Sequence, residues 1–171
     1  GRGGSIFFQS LLDGHPNIVT LPSFGPIYSK ISYKFFTDEN IFNNEVEKFI
    51  SINEDIFDTS KGYFGKGKGY ASGSFGQNAN EHIVTDVNLF KKKINELKIK
   101  YFNDIKFIPR KFFFTLIHLS FYEIYYGNCN NVRYLLYHPH NFFELRYLIK
   151  DFPNLYFIGL SRNPLSDWNS W

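Results

Sequence analysis

The chain contains no methionine and one cysteine, Cys129. A single thiol excludes an intrachain disulfide and makes a reducing, cytoplasmic setting the simpler expectation. Long apolar runs are missing as well. The longest, Phe112 to Tyr122, falls short of the ~20 residues a bilayer span needs, and His118 interrupts it. No signal peptide is visible, although a missing N-terminal segment would hide one. Charge of one sign is scarce: 19 Lys and Arg against 16 Asp and Glu leave only +3. That balance does not mark a general nucleic-acid binder, while a local basic pocket for a nucleotide remains compatible with it. Two nucleotide signatures are absent too. There is no G-x-x-x-x-G-K-[ST] string, which ranks a P-loop NTPase last. The glycines from Gly62 to Gly69 are not in G-x-G-x-x-G order and follow no strand, so the dinucleotide fingerprint fails.

What is present is apolar and aromatic. Hydrophobic residues make up 43%, with 21 Phe and 12 Tyr. The wealth of Phe, Tyr, Ile, Asn and Lys looks like AT-rich coding bias rather than a special aromatic binding surface. A chain of 171 residues suffices for one domain with a sizeable core. Residue 1 already lies inside a glycine-bearing loop, no strand leads into that loop, and methionine is absent. The expectation is an internal fragment, an incomplete domain truncated at both ends.

Helical periodicity dominates the middle. Thr37 or Asp38 suits the cap of a helix reaching about Ile50, with Ile41, Phe42, Val46, Phe49 and Ile50 along it. Asp86 to Tyr101 repeats apolar residues at 90, 94, 97 and 101. Arg110 to Tyr126 is a further apolar-rich helix, and Gly127 is well placed to stop it. Between the first two, residues 61–80 form a Gly-rich, flexible loop. It reads either as a basic lid over an anionic ligand or, by default, as a surface loop with solvated lysines. The final third has a βα pattern. Val132 to Tyr137 reads as a short buried strand. Asn141 and Glu144 have capping-box spacing for a helix with Phe142, Leu145, Leu148 and Ile149 on one face, ending before Pro153. Leu155 to Leu160 reads as a second buried strand. Strand–helix–strand of this kind implies a right-handed parallel crossover, with ligands beyond the carboxyl ends of the strands, where His138 and Arg162 fall.

The two ends carry the chemistry. Gly1-Arg2-Gly3-Gly4-Ser5 is a basic, glycine-bearing loop feeding Ile6-Phe7-Phe8-Gln9-Ser10-Leu11-Leu12. A loop entering a helix N-terminus offers unpaired N–H groups and the positive end of the dipole to an anion. At the other end Arg162 follows an apolar strand, with Ser170 eight residues later. Two such features suggest a ligand with two separated anionic groups. A linker and an ordinary turn are the plain readings of the same two segments.

The ordered pair resembles the sulfotransferase family, which takes its sulfuryl group from 3'-phosphoadenosine 5'-phosphosulfate (PAPS). Gly1 to Ser5, followed by Leu11-Leu12-Asp13-Gly14-His15-Pro16, is similar to the family's donor loop and the helix ending near Asp-Ala-His-Pro. Phe157 to Pro164, with Ser170, resembles its Arg-Asp-Pro element and following serine. Tyr134 to Pro139 sits where the family often has a strand ending in Lys-Thr-Pro. The resemblance covers residues 1–24 and roughly 132–171. It implies an α/β domain with a P-loop-like parallel sheet flanked by helices, and sulfuryl transfer from PAPS to a hydroxyl of a sugar, lipid, small molecule or peptidyl tyrosine.

On that resemblance, the backbone at Gly3 and Gly4 would approach the 5'-phosphosulfate, Ser5 would add a hydroxyl donor, and Arg2 would contact the leaving-group side. Arg162 and Ser170 would hold the 3'-phosphate, Arg162 through two parallel N–H bonds. Ile6 belongs to the same donor loop but replaces the usual Ser or Thr, removing one phosphate contact. His138 stands where a Thr or Ser is frequent and is the candidate catalytic histidine beside Arg2. With His140 it is suited to deprotonate an acceptor or to bind a metal, though no metal is expected. The glutamate often found soon after the His-Pro element is missing, since Asn17 to Ser29 holds no acid. His15 is better read as closing the first helix, and Glu45 and Glu54 as solvated helix-surface residues. A non-catalytic nucleotide-binding relative and an aromatic-rich interaction module without a ligand are the other readings.

Overall fold

The computed structural model describes residues 8, 11, 12, 14–22, 27–61, 82–102, 107–139 and 142–159. Six helices are assigned among them: α1 (Ile27–Lys30), α2 (Glu39–Ile52), α3 (Glu54–Phe57), α4 (Val87–Phe102), α5 (Arg110–Tyr126) and α6 (Phe142–Asp151). Four two-residue strands accompany them: β1 (Ile18–Val19), β2 (Phe35–Phe36), β3 (Ile108–Pro109) and β4 (Tyr134–Leu135). β1 pairs with β4 in parallel, Ile18 opposite Tyr134. β2 pairs with β3 antiparallel, Phe35 opposite Pro109. The class is mixed α/β, and the parallel part among the described residues is this one pair.

Local chemistry explains the long helices. Asp38 caps α2, its Oδ1 accepting the Ile41 N–H at 2.9 Å, which satisfies one of the free donors of the first turn. Phe42, Glu45, Val46 and Phe49 form its buried stripe. Asp86 does the same for α4, accepting from Asn88 at 2.8 Å and Leu89 at 3.2 Å. Gly127 ends α5 with φ at +88°, a conformation in which a side chain is strained.

α5 is the central element. Phe113, Phe114, Leu116, Ile117, His118, Ser120, Phe121 and Tyr122 are all buried on it, and a helix apolar nearly all round is one enclosed by others. Phe36, Phe42, Phe49, Phe57, Phe90, Phe113, Phe114 and Phe121 make much of the core. Their rings meet edge-on or tilted, as in Phe42 on Phe113 at 5.3 Å and Phe57 on Phe90 at 5.0 Å, the arrangements aromatic quadrupoles prefer. At about 2–3 kcal/mol of transfer free energy per buried ring, the phenylalanine content is first of all core.

Several expectations need correction. The strand at 132–137 shortens to Tyr134–Leu135 and is not buried, Tyr134 being 58% exposed. Leu155 to Gly159 forms no strand, and Tyr156, Phe157 and Ile158 are exposed. A continuous apolar run specifies a buried strand only where neighbouring backbone completes its ladder, and none does so among the described residues. The crossover beyond α6 is therefore not seen. Among the described side chains of α6 the buried ones are Glu144 and Leu148, while Ile149 is 49% exposed. Glu45 is not solvated: at 3% exposure its Oε1 accepts the Ser32 N–H at 2.8 Å and pairs with Lys48. Glu54 is exposed and pairs with Lys61. Most of the loop at 61–80 lies outside the described residues. The segments flanking it are joined by Thr59 N–H to Ile83 O at 3.0 Å and Thr85 N–H to Phe57 O at 2.7 Å.

Candidate functional site

Arg2, Gly3, Gly4, Ser5, Ile6, His140, Arg162 and Ser170 lie outside the described residues. The geometry that can be built is that of the two segments leading towards and away from the parallel pair. His15 shapes the entry: its N–H bonds Leu12 O at 3.2 Å, and its Nδ1 accepts the Asn17 N–H at 3.1 Å. A histidine committed to this turn is a structural residue. Pro16 O then accepts the Tyr122 hydroxyl at 3.1 Å, fixing the start of β1 to the second half of α5. Asn17 grips the other strand, its Nδ2 donating to Asn131 O at 2.8 Å and its carbonyl receiving the Arg133 and Tyr134 N–H groups.

β1 and β4 run opposite to α5, so their carboxyl ends point towards its N-terminal half. Leu136 N–H bonds Val19 O at 2.9 Å. Tyr137 follows, its ring edge-on to Phe114 at 4.9 Å and near His118 at 6.2 Å. His138 comes next, half-buried, three residues past the end of β4. Among the described residues no group of three or more His, Cys, Asp or Glu side chains could hold a metal.

Beyond those carboxyl ends, two polar knots hold α1 to α6. In the first, the Tyr137 hydroxyl accepts the Ile27 N–H at 3.0 Å, with the Tyr28 N–H at 3.5 Å. Glu144, fully buried, accepts the Ser29 N–H at 3.0 Å. A capping-box glutamate turns back to its own helix start, but this one spends an oxygen on a segment 115 residues away. Burial, and then the Glu144 charge, hold the Tyr137 phenol far above the ordinary tyrosine range. In the second knot the Tyr28 hydroxyl donates to Asp151 Oδ2 at 2.5 Å. Arg110 donates to the same oxygen from Nε at 3.2 Å and a terminal nitrogen at 2.8 Å. Its guanidinium also lies over the Tyr28 ring at 4.8 Å and the Tyr147 ring at 5.0 Å. Burial alone would raise the Asp151 carboxyl, but the Tyr28 hydroxyl and the Arg110 cation together outweigh it and hold it below the carboxylate range.

None of Tyr28, Arg110, Tyr137 or Asp151 stands out by spacing. The one local signal was Glu144, which reads as a helix cap. His118 is the other polar residue near this end. It is fully buried, its Nδ1 2.8 Å from Phe114 O, and its Nε2 has no hydrogen-bond partner among the described residues. Burial pushes its pKa down to about 4, against a smaller opposing effect of the Phe114 carbonyl, so the ring is neutral near pH 7. The carboxylates of Glu144 and Asp151 are thus occupied in tying α1, α5 and α6 together.

No protein-family model, curated protein or solved structure matches this chain.

Proposed function

We propose that the chain is the donor-binding part of a PAPS-dependent sulfotransferase, built on a P-loop-like sheet. The observation that carries this reading is the pairing of β1 with β4. Each half of the family resemblance supplies one strand: β1 follows His15-Pro16, and β4 precedes His138-Pro139. Two segments distant in sequence run in the same direction, side by side, as a donor site divided between them requires. The Gly1–Ile6 loop would cradle the 5'-phosphosulfate, with Arg2 on the leaving oxygen, and Arg162 with Ser170 would take the 3'-phosphate. Charge-assisted bonds of this kind contribute roughly 1.5–3 kcal/mol each. An acceptor hydroxyl would attack sulfur in line while the S–O bond to the donor phosphate breaks, and His138 would take the hydroxyl proton.

A second reading is a relative that binds the nucleotide without turning it over. The specific observation in its favour is that Asn17 to Ser29 holds no acid, while Glu144 and Asp151 are engaged with Ser29, Tyr28 and Arg110.

Calorimetric titration of the chain with adenosine 3',5'-bisphosphate against adenosine 5'-monophosphate tests both. The bisphosphate should bind more tightly, and Arg162→Ala should weaken it far more than the monophosphate. Equal losses for the two nucleotides, or no binding by folded protein, would overturn the donor site. Bisphosphate binding with no sulfated product from any hydroxyl acceptor would select the non-catalytic reading.

A further inference from the structure

The β2–β3 pair departs from the alternation expected of a sheet with one face to water. Phe36 and Ile108 enter the core, 2% and 6% exposed. The opposite face of such a pair is ordinarily polar. Here it carries Phe35 across from Pro109, with the Phe107 ring stacked on Phe35 at 4.1 Å. In the first turn of α5, Phe112 is exposed and meets Phe102 of α4 at 4.9 Å. Lysines flank both ring pairs: Lys34 Nζ lies 5.2 Å from the Phe35 centroid and Lys111 Nζ 5.4 Å from that of Phe112. Lys98 and Arg110 are paired with Glu39 and Asp151, so the cations offered beside the rings are Lys34 and Lys111.

We propose that this face docks on an anionic lipid bilayer. Phe107 and Phe112 are exposed, with Phe35 half-buried beside them, and phenylalanines bordered by lysines are what the headgroup boundary accepts, the rings entering and the ammonium groups staying at the phosphates. Each such lysine strengthens binding to an anionic surface about fivefold. Single-stranded nucleic acid needs open ring faces for its bases, but Lys34 and Lys111 already cover faces of Phe35 and Phe112, and Phe35 and Phe107 cover each other. A second copy of the chain would set lysine against lysine. The surface also sits at the N-terminal end of α5, the end towards which β1 and β4 point. Docking would therefore hold that end of the molecule at the bilayer, whatever reaction it performs.

Co-sedimentation with phosphatidylcholine vesicles, with and without phosphatidylserine, tests the proposal on the whole chain. Binding should require the anionic lipid and weaken as salt rises. Lys34→Glu combined with Lys111→Glu should reduce it about tenfold or more. Phe107→Ser should also weaken it, while Tyr156→Ser, at a site 86% exposed elsewhere, should leave it unchanged. Circular dichroism establishes that each variant is folded, and the salt dependence of the unaltered chain needs no variant. Absence of binding by folded protein, equal binding by the double lysine variant, or an equal loss in Tyr156→Ser would each overturn the proposal. Tight oligonucleotide binding without vesicle binding, or self-association abolished by Phe107→Ser, would replace it with a nucleic acid or a second copy as the occupant.

Discussion

Acid should loosen this fold through His118, and the expected size follows from its surroundings. The imidazole is fully enclosed on α5, against the Phe114 ring at 4.4 Å and near Tyr137. Its pKa is about 4 when folded, against an ordinary value of 6.5. Between those values the unfolded chain binds a proton that the folded chain refuses, so the stabilisation is complete above pH 6.5 and is lost as pH falls towards 4. At about 1.4 kcal/mol per pH unit, the interval amounts to roughly 3 kcal/mol. For a domain of this size that lowers the melting temperature by about 6–12 °C. Denaturant unfolding at pH 7, 5.5 and 4 measures it, with His118→Leu as the comparison. The leucine variant should be as stable as the parent at pH 7, because it removes a buried Nε2 that has no partner, and it should lose this part of the pH dependence. An equal fall in the variant, or a flat parent, would refute the reasoning.

Two further outcomes follow from particular contacts. Arg110→Met strands the Asp151 carboxylate in a half-buried site and should cost about 2 kcal/mol at pH 7, read as a lower denaturation midpoint. Because Asp151 lies below the ordinary carboxylate range in the fold, its contribution is present above that range and lost as pH falls below it. In the variant the loss should begin at higher pH. Gly127→Ala places a Cβ in open space but at φ +88°, so the cost is backbone strain of about 1–2 kcal/mol, measurable as a drop in melting temperature.

The parts of the structure legible in the sequence are those decided by neighbours within a turn or two. Asp38, Asp86 and Gly127 bound α2, α4 and α5 through bonds to residues four or fewer positions away, so periodicity and caps suffice. Glu45 was misread as solvated, and the Ser29 contact of Glu144 was not foreseen, because a buried carboxylate is defined by a distant donor, here the N–H of Ser32 or Ser29. β2 and β3 gave no signal at two residues each, too short for an alternation to register. Leu155 to Gly159 shows the converse, a strand-like run without a ladder. Of the proposed donor-site and catalytic residues only His138 lies among those described, and the contacts of Tyr137 with the start of α1 and of Tyr28 with Asp151 are tertiary, with no counterpart in local spacing.

The pairing of β1 with β4 has a consequence for how the chain reaches its fold. Asn17 holds Asn131 across 114 residues, so among the described residues β1 meets its strand partner only after Tyr134 and Leu135 have been made. The α4–α5 hairpin, with its Phe90 and Phe121 rings 5.0 Å apart, closes a far shorter loop and can assemble earlier. Loop closure opposes the distant pairing more than the near one. The parallel pair, and with it the knots of Tyr137 and Glu144, should therefore be the last parts to form during synthesis. Until then Phe114, whose ring later meets Tyr137 edge-on, stays open on that side.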